Sequence, residues 1–193
     1  MSDLSRSKLL KAAFVVVAII AGKELVSHLP EDSASMRPFE VTGEVREDVS
    51  LRTGTVRVTQ VQLSPTLLTP SQGYRTPGLW VVATVTLVPA SERESLTFTA
   101  IRSADGERTW SGRSRSSGSC LAAPPGVPIT CDVAFEVPGD ALPGADLLVA
   151  TETDQRYDTM AVIDLGITAE DVAAAEDAEP ASEKRSRLGD GDG

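Results

Sequence analysis

An all-β chain, built as an antiparallel β-sandwich of seven or eight strands behind one N-terminal membrane helix, is the fold class this sequence predicts. Three observations predict it. From Val41 to Ile167 the apolar residues recur with a period of two, in short runs separated by Gly, Pro, Asp and Ser turns. That stretch holds no segment with the 3.6-residue rhythm of a convincing helix. Ahead of it, an uninterrupted apolar stretch from Ala12 to Gly22 follows a basic start carrying Arg6, Lys8 and Lys11. With 193 residues and 41% apolar content, the chain has material for one core after a leader and a tail are set aside.

Residues 1–29, "MSDLSRSKLLKAAFVVVAIIAGKELVSHL", read as a membrane-directed leader. Eleven apolar residues span only about half of a ~30 Å hydrocarbon core, which favours a cleavable signal. Against cleavage, no A-x-A site follows. Leu9, Leu10, Leu25, Val26 and Leu29 also extend the segment to about twenty residues if Lys11 and Lys23 snorkel. The expectation is a single-pass anchor with the N-terminus in the cytoplasm and everything after it outside; a cleaved signal and a secreted protein remain the alternative. Lys23 and Glu24, beside the apolar core, suit a membrane protein partner. His28, the only histidine, reads as an interfacial residue rather than a ligand. Residues 30–40 read as a polar spacer.

The sandwich is expected over residues 41–167. In "TGTVRVTQVQL", Val56 and Val58 share one parity while Val61 and Leu63 share the other, and the slip at Thr59 and Gln60 predicts a bulge or a bend between sheets. "GLWVVATVTLVP", residues 78–89, is apolar on both parities; it should be a central strand covered on both faces for part of its length, with Trp80 in the core. Asp105-Gly106 signals a two-residue hairpin turn. "PITCDVAFEVP" alternates cleanly, with Ile129, Cys131, Val133, Phe135 and Val137 inward and Thr130, Asp132, Ala134 and Glu136 outward. "ADLLVATETDQRYDTMAVIDLGI" supplies two more short strands around a polar turn. From 168 to 193 the chain is acidic, with eight acids against three bases after Thr168 and almost no apolar face, so a short frayed helix followed by disorder is expected.

Cys120 and Cys131 are the only cysteines. Two cysteines without a nearby histidine fall short of a zinc site. A reactive thiol needs an electropositive, partly open setting, whereas Cys131 falls on the inward parity of an apolar strand. An even cysteine count in an exported domain points instead to a disulfide between them. No metal and no cofactor are expected.

Little in the chain carries chemistry. Ser117 and Ser119 flank Gly118 without a G-x-S-x-G elbow or a histidine base, and acid pairs such as Glu92 and Glu94 sit in predicted turns. No phosphate loop or calcium-loop spacing occurs. The net charge of −10 is unlike a nucleic-acid-binding surface, and no small-molecule substrate is indicated. The most distinctive polar feature is "RSADGERTWSGRSRSSGS", which gathers Arg102, Arg108, Arg113 and Arg115 around Trp110. One reading is a solvated hairpin whose arginines protect a sheet edge. The other is a cationic partner-binding patch with Trp110 as its anchor.

The order "GTVRVTQVQL", "GLWVVATVTLV", "FTAIRSADGERTW", "GVPITCDVAFEVPGDAL" and "AVIDLG", over about residues 43–167, resembles an exported immunoglobulin-like domain of unknown function found in actinobacterial envelope proteins. It is similar to their small secreted β-sandwich antigens. The "FEVP" step is the most specific part of the likeness; "LVPASERES" departs from the Asn-rich turn of the pattern, and the cysteine pair lies outside it. The resemblance implies an immunoglobulin-like sandwich, export and a binding role, with no catalytic residues to transfer. The expected function is a membrane-anchored extracytoplasmic interaction module, an accessory subunit of an envelope complex. A secreted soluble binding or inhibitor protein is the alternative.

Overall fold

Residues that alternate apolar and polar side chains become strands here, and the exceptions mark where a second layer covers them. The computed structural model describes residues 37–111, 120–152, 154 and 158–189, together with Val17 and Lys23. Except for those last two residues, the predicted membrane helix lies outside the described residues; among them no helix is long and apolar enough to cross a membrane. The chain divides into a unit Met1–Arg37 and a unit Pro38–Gly193, and the second is described below.

In chain order the strands are β1 (Phe39–Glu44), β2 (Val49–Ser50), β3 (Gly54–Leu68), β4 (Gly73–Pro89), β5 (Phe98–Arg102), β6 (Thr109–Ser111) and β7 (Ile129–Val137). A 3-10 turn, Gly139–Ala141, leads into β8 (Asp146–Ala150) and β9 (Thr159–Asp164). Helix α1 (Ala169–Ala175), β10 (Ala181–Ser182) and β11 (Arg187–Leu188) follow. Nine of these eleven described strands precede residue 168, against the seven or eight read from the sequence; β2 and β6, of two and three residues, are the shortest of the nine. One sheet has the order β1-β9-β8-β5-β6. The other is centred on β3-β4-β7, with β2 and β10 on β3 and β11 on β7. Neighbours are antiparallel apart from β1 with β9 and β10 with β3.

The core lies between the sheets, where one parity of each strand meets the other sheet. Val56, Val58, Val81, Ala83, Val85, Leu87, Ile129, Phe135 and Val137 from one side pack with Ile101, Leu147, Val149, Ala161 and Ile163 from the other. The slip in β3 is a bulge: the register shifts between Val58 and Gln60, so Val61 and Leu63 stay on the core side opposite Ala83 and Val81. A second break lies between Ser64 and Thr66, where Pro65 on β3 and Pro77 on β4 each lack an N–H for the ladder. Gly78 beside it has no room for a side chain, since a Cβ there would lie 2.6 Å from the Val137 carbonyl oxygen.

The Asp105-Gly106 hairpin forms, but with a longer loop than the dipeptide predicts. The Ser103 N–H bond to the Arg108 carbonyl closes four residues, 104–107, and Gly106 takes the left-handed conformation at φ 72°. Asp105 sets that length by accepting from both the Ser103 hydroxyl and the Glu107 N–H.

The tail corrects the sequence expectation more substantially. Residues 168–189 are folded onto the sandwich instead of fraying into disorder. A capping box starts α1: the Thr168 hydroxyl accepts from the Asp171 N–H at 3.2 Å, and the Asp171 carboxylate accepts from the Thr168 N–H at 2.9 Å. Val172 and Ala175, one turn apart, then press against the core. β1 likewise begins at Phe39, inside the predicted spacer, so the folded unit exceeds 41–167 at both ends.

Two apolar layers lie outside the central core. On the outer face of the first sheet, Phe98, Ala100, Leu148, Ala150, Met160 and Val162 cluster together. On the outer face of the second, Trp80 and Val82 join Leu67, Tyr74, Ala134 and Ala181. Trp80 is fully buried, yet it belongs to this outer layer and not to the space between the sheets.

Candidate interaction surfaces

The arginine hairpin places its described side chains against acids. Arg102 ends β5, and its guanidinium reaches Glu40 on β1 at 2.8 Å and Asp146 on β8 at 3.0 Å, tying three strands of one sheet. Arg108 lies 3.5 Å from Asp140 in the 3-10 turn, with its guanidinium 5.4 Å above the Trp110 ring. Trp110 is half-buried, opposite Ile101 in the register and packed on the core. Arg102, Arg108 and Trp110 are therefore brought to one hairpin, but the two arginines have internal partners that offset their charge. Arg113 and Arg115 lie outside the described residues.

The two cysteines are joined. Cys120 and Cys131 form a disulfide with their Cα atoms 5.3 Å apart, in the usual range for such a bond. Cys131 sits in β7 opposite Val85, so Cys120 is fastened to a strand next to the central one. Neither sulfur is free for nucleophilic chemistry or metal binding. Among the described residues no group of three His, Cys, Asp or Glu could hold a metal ion.

One end of the sandwich carries a charge cluster the sequence does not reveal. Arg52, between β2 and β3, donates from Nε and Nη2 to the two oxygens of Asp158 at 2.9 and 2.8 Å. Asp158 also accepts from the Thr159 N–H at 2.7 Å, and the Thr159 hydroxyl accepts from the Arg52 N–H at 2.8 Å. The link joins the two sheets across 106 residues of chain, which places it beyond any local motif. Bonding to Arg52 holds the Asp158 carboxyl below its ordinary range, despite burial that opposes it. Nearby Glu94 moves the other way, mainly through burial and then through the Glu152 and Glu92 carboxylates.

Because the folded-state pKa of Asp158 is depressed, its contribution is complete above the unfolded carboxyl pKa and is lost as pH falls through the folded value. Asp158→Asn is expected to cost about 1–3 kcal/mol near neutrality. In urea titrations across pH, the gap between variant and parent should begin to narrow below about pH 4 and close as pH falls through the depressed folded-state value. A gap that does not narrow as pH falls below that range would remove the ionic account of this link.

The third surface is the outer face of β3-β4-β7, which the C-terminal segment crosses. β10 runs parallel to the end of β3, pairing Ala181 with Leu67 and Ser182 with Leu68. The Glu183 N–H bonds the Leu68 carbonyl at 2.9 Å, and the Lys184 N–H bonds the Asp132 carboxylate at 2.8 Å. β11 then pairs with the start of β7, and the Gly189 N–H reaches the Pro128 carbonyl at 2.9 Å. Hydroxyls and acids beneath complete the face, with the Thr84 hydroxyl donating to Asp132 at 2.7 Å and the Thr76 hydroxyl to Glu136 at 2.6 Å. Thr130, Asp132 and Ala134, expected to face solvent, are consequently buried. A cleft of about 420 Å³ remains beside this C-terminal strap, residues 179–189, between the Thr69–Ser71 turn, the half-exposed Leu121 and residues 183–186. The signal in the sequence was the outward parity of Trp80, Val82 and Ala134, which are apolar and need a cover.

No protein-family model and no curated protein matches this chain. Among solved structures it is similar to an uncharacterized beta-sandwich protein from Clostridium difficile 630, with 11% identity and a TM-score of 0.40. The match covers 66% of this chain and 95% of that one.

Proposed function

We propose that this protein is an extracytoplasmic interaction module, held at the cell membrane by residues 1–29 with its N-terminus in the cytoplasm, and an accessory subunit of an envelope complex. The single observation that carries the reading is the Cys120–Cys131 disulfide, which leaves no free thiol in a chain that opens with a basic and apolar leader. A bond of this kind persists in an oxidising compartment and is reduced in most cytosols. The module is read as non-enzymatic: His28 precedes the sandwich, the sulfurs are paired, and the acids and arginines at hand bond to each other.

We further read the sandwich as immunoglobulin-like. In its support, β3-β4-β7 and β6-β5-β8-β9 have the order of an A-B-E sheet facing a C′-C-F-G sheet, with β1 added in parallel to the last strand. The resemblance to actinobacterial envelope domains points the same way.

Fractionation of the native host cell tests the placement. The anchored form is expected in carbonate-washed membranes with residues 1–29 retained and the sandwich open to external protease. A soluble form beginning near Gly22 in the medium would replace it with the secreted alternative. Recovery of reduced protein from the cytosol would overturn both.

A further inference from the structure

The strap across β3-β4-β7 is held in the manner of a bound peptide. It makes two strand pairings of two residues each, one on β3 and one on β7, and its apolar contribution to the layer beneath is Ala181 alone. Between those pairings the chain spans the face through main-chain donors, Glu183 N–H to a backbone carbonyl and Lys184 N–H to a carboxylate. That is the grammar of β-strand addition, in which main-chain bonds supply affinity and a shallow pocket selects one side chain.

The surface under the strap is larger and more aromatic than an alanine requires. Trp80 and Tyr74 lie with ring centroids 6.2 Å apart at a tilt of 48°, flanked by Leu67, Val82 and Ala134. Trp80 is wholly buried there, and its indole N–H has no hydrogen-bond partner among the described residues. Buried indole donors normally find an acceptor. The cover that the chain supplies for itself thus leaves one specific group of the face unsatisfied, with an open cleft beside it at Leu121 and the Thr69–Ser71 turn.

We propose that this face is a binding site for an extended peptide and that residues 179–189 occupy it as a built-in ligand, which a partner strand of similar pattern displaces. The partner it fits is an extended segment with a small residue over Trp80, a main-chain donor for Asp132 and an acceptor for the Trp80 indole. The inference rests on the reading of this protein as an interaction module and names the surface and partner class that module uses. A tethered segment competes at an effective concentration on the order of millimolar, so the intact strap masks the site against weak partners and yields to stronger ones.

The test uses the full chain in the Trp110→Phe background, which leaves Trp80 as the fluorescent reporter, and a second form stopped after Asp177. The probe is a synthetic peptide of residues 179–189. Its saturable binding to the shortened form, with a change in Trp80 emission, is expected to be at least tenfold tighter than binding to the intact chain. The peptide carrying Ala181→Arg should not bind. A shortened form that unfolds cooperatively yet ignores the peptide overturns the proposal. If shortening abolishes folding, the full chain with Ala181→Arg takes its place: a loosened strap must gain peptide binding, and no gain is a refutation. Each outcome is independent of where the cell places the protein, so failure here leaves the fractionation result standing.

Discussion

Phe135→Ala is expected to destabilise the protein by about 3–5 kcal/mol, the range for truncating a large, fully buried aromatic side chain. Phe135 is 1% exposed and faces Val81 in the β4–β7 ladder. It shares the space between the sheets with residues from both, so few of its neighbours can collapse into the void without disturbing a strand. Urea unfolding should show a lower midpoint with an unchanged slope, because the cavity weakens the native state without altering the surface exposed on unfolding. Phe39→Ala supplies the contrast. Phe39 is 64% exposed on β1, and its loss should stay within about 0.5 kcal/mol. Similar costs at the two positions would mean that the inner faces do not form the packed layer described.

Removing the disulfide is the second large effect. The bond spans a sequence separation of 11 and would contribute roughly 3 kcal/mol by restricting the unfolded chain, with observed costs for such removals of about 2–5 kcal/mol. Cys120→Ala with Cys131→Ala is therefore expected to unfold at markedly lower urea concentration than the parent. Reductant should lower the parent to the same midpoint and leave the double variant unmoved. The location strengthens the expectation, since Cys131 is 3% exposed within β7 and Cys120 is 8% exposed beside it. Equal stability of the two forms would show that the bond contributes nothing to the fold.

Where a strand alternates, its sequence discloses both its existence and its facing. Ile129, Val133, Phe135 and Val137 point into the core as their parity requires, and even the bulge at Thr59 is visible as a change of phase between Val58 and Val61. Double-sided apolarity in "GLWVVATVTLVP" similarly reveals a central strand, with Val81 and Ala83 in one layer and Trp80 and Val82 in another. Position along the chain is legible because burial imposes a period.

The elements that escaped reading are those whose hold is not periodic. The strap contributes one alanine to an apolar layer and otherwise bonds through its backbone, which composition does not record. The acids of the C-terminal tail suggested disorder, although Glu183 in the strap is buried and Asp171 completes the cap of α1. Arg52 and Asp158 are brought together by topology alone. In the arginine hairpin the residue types were visible but their partners were not. Glu40 and Asp140, from β1 and the 3-10 turn, reach Arg102 and Arg108 only because the sheet and the turn return beside the hairpin. The same limit governs the face beneath the strap: Thr130 and Asp132 looked like solvent-facing residues until a distant segment crossed them.

The Cys120–Cys131 bond is the link between the two-layer fold and the proposed export, so its oxidation state in protein taken from its own cells is the most direct test. Alkylation in denaturant without reductant, followed by intact mass, should add no label, while prior reduction should add two. Two labels on the unreduced protein would contradict it.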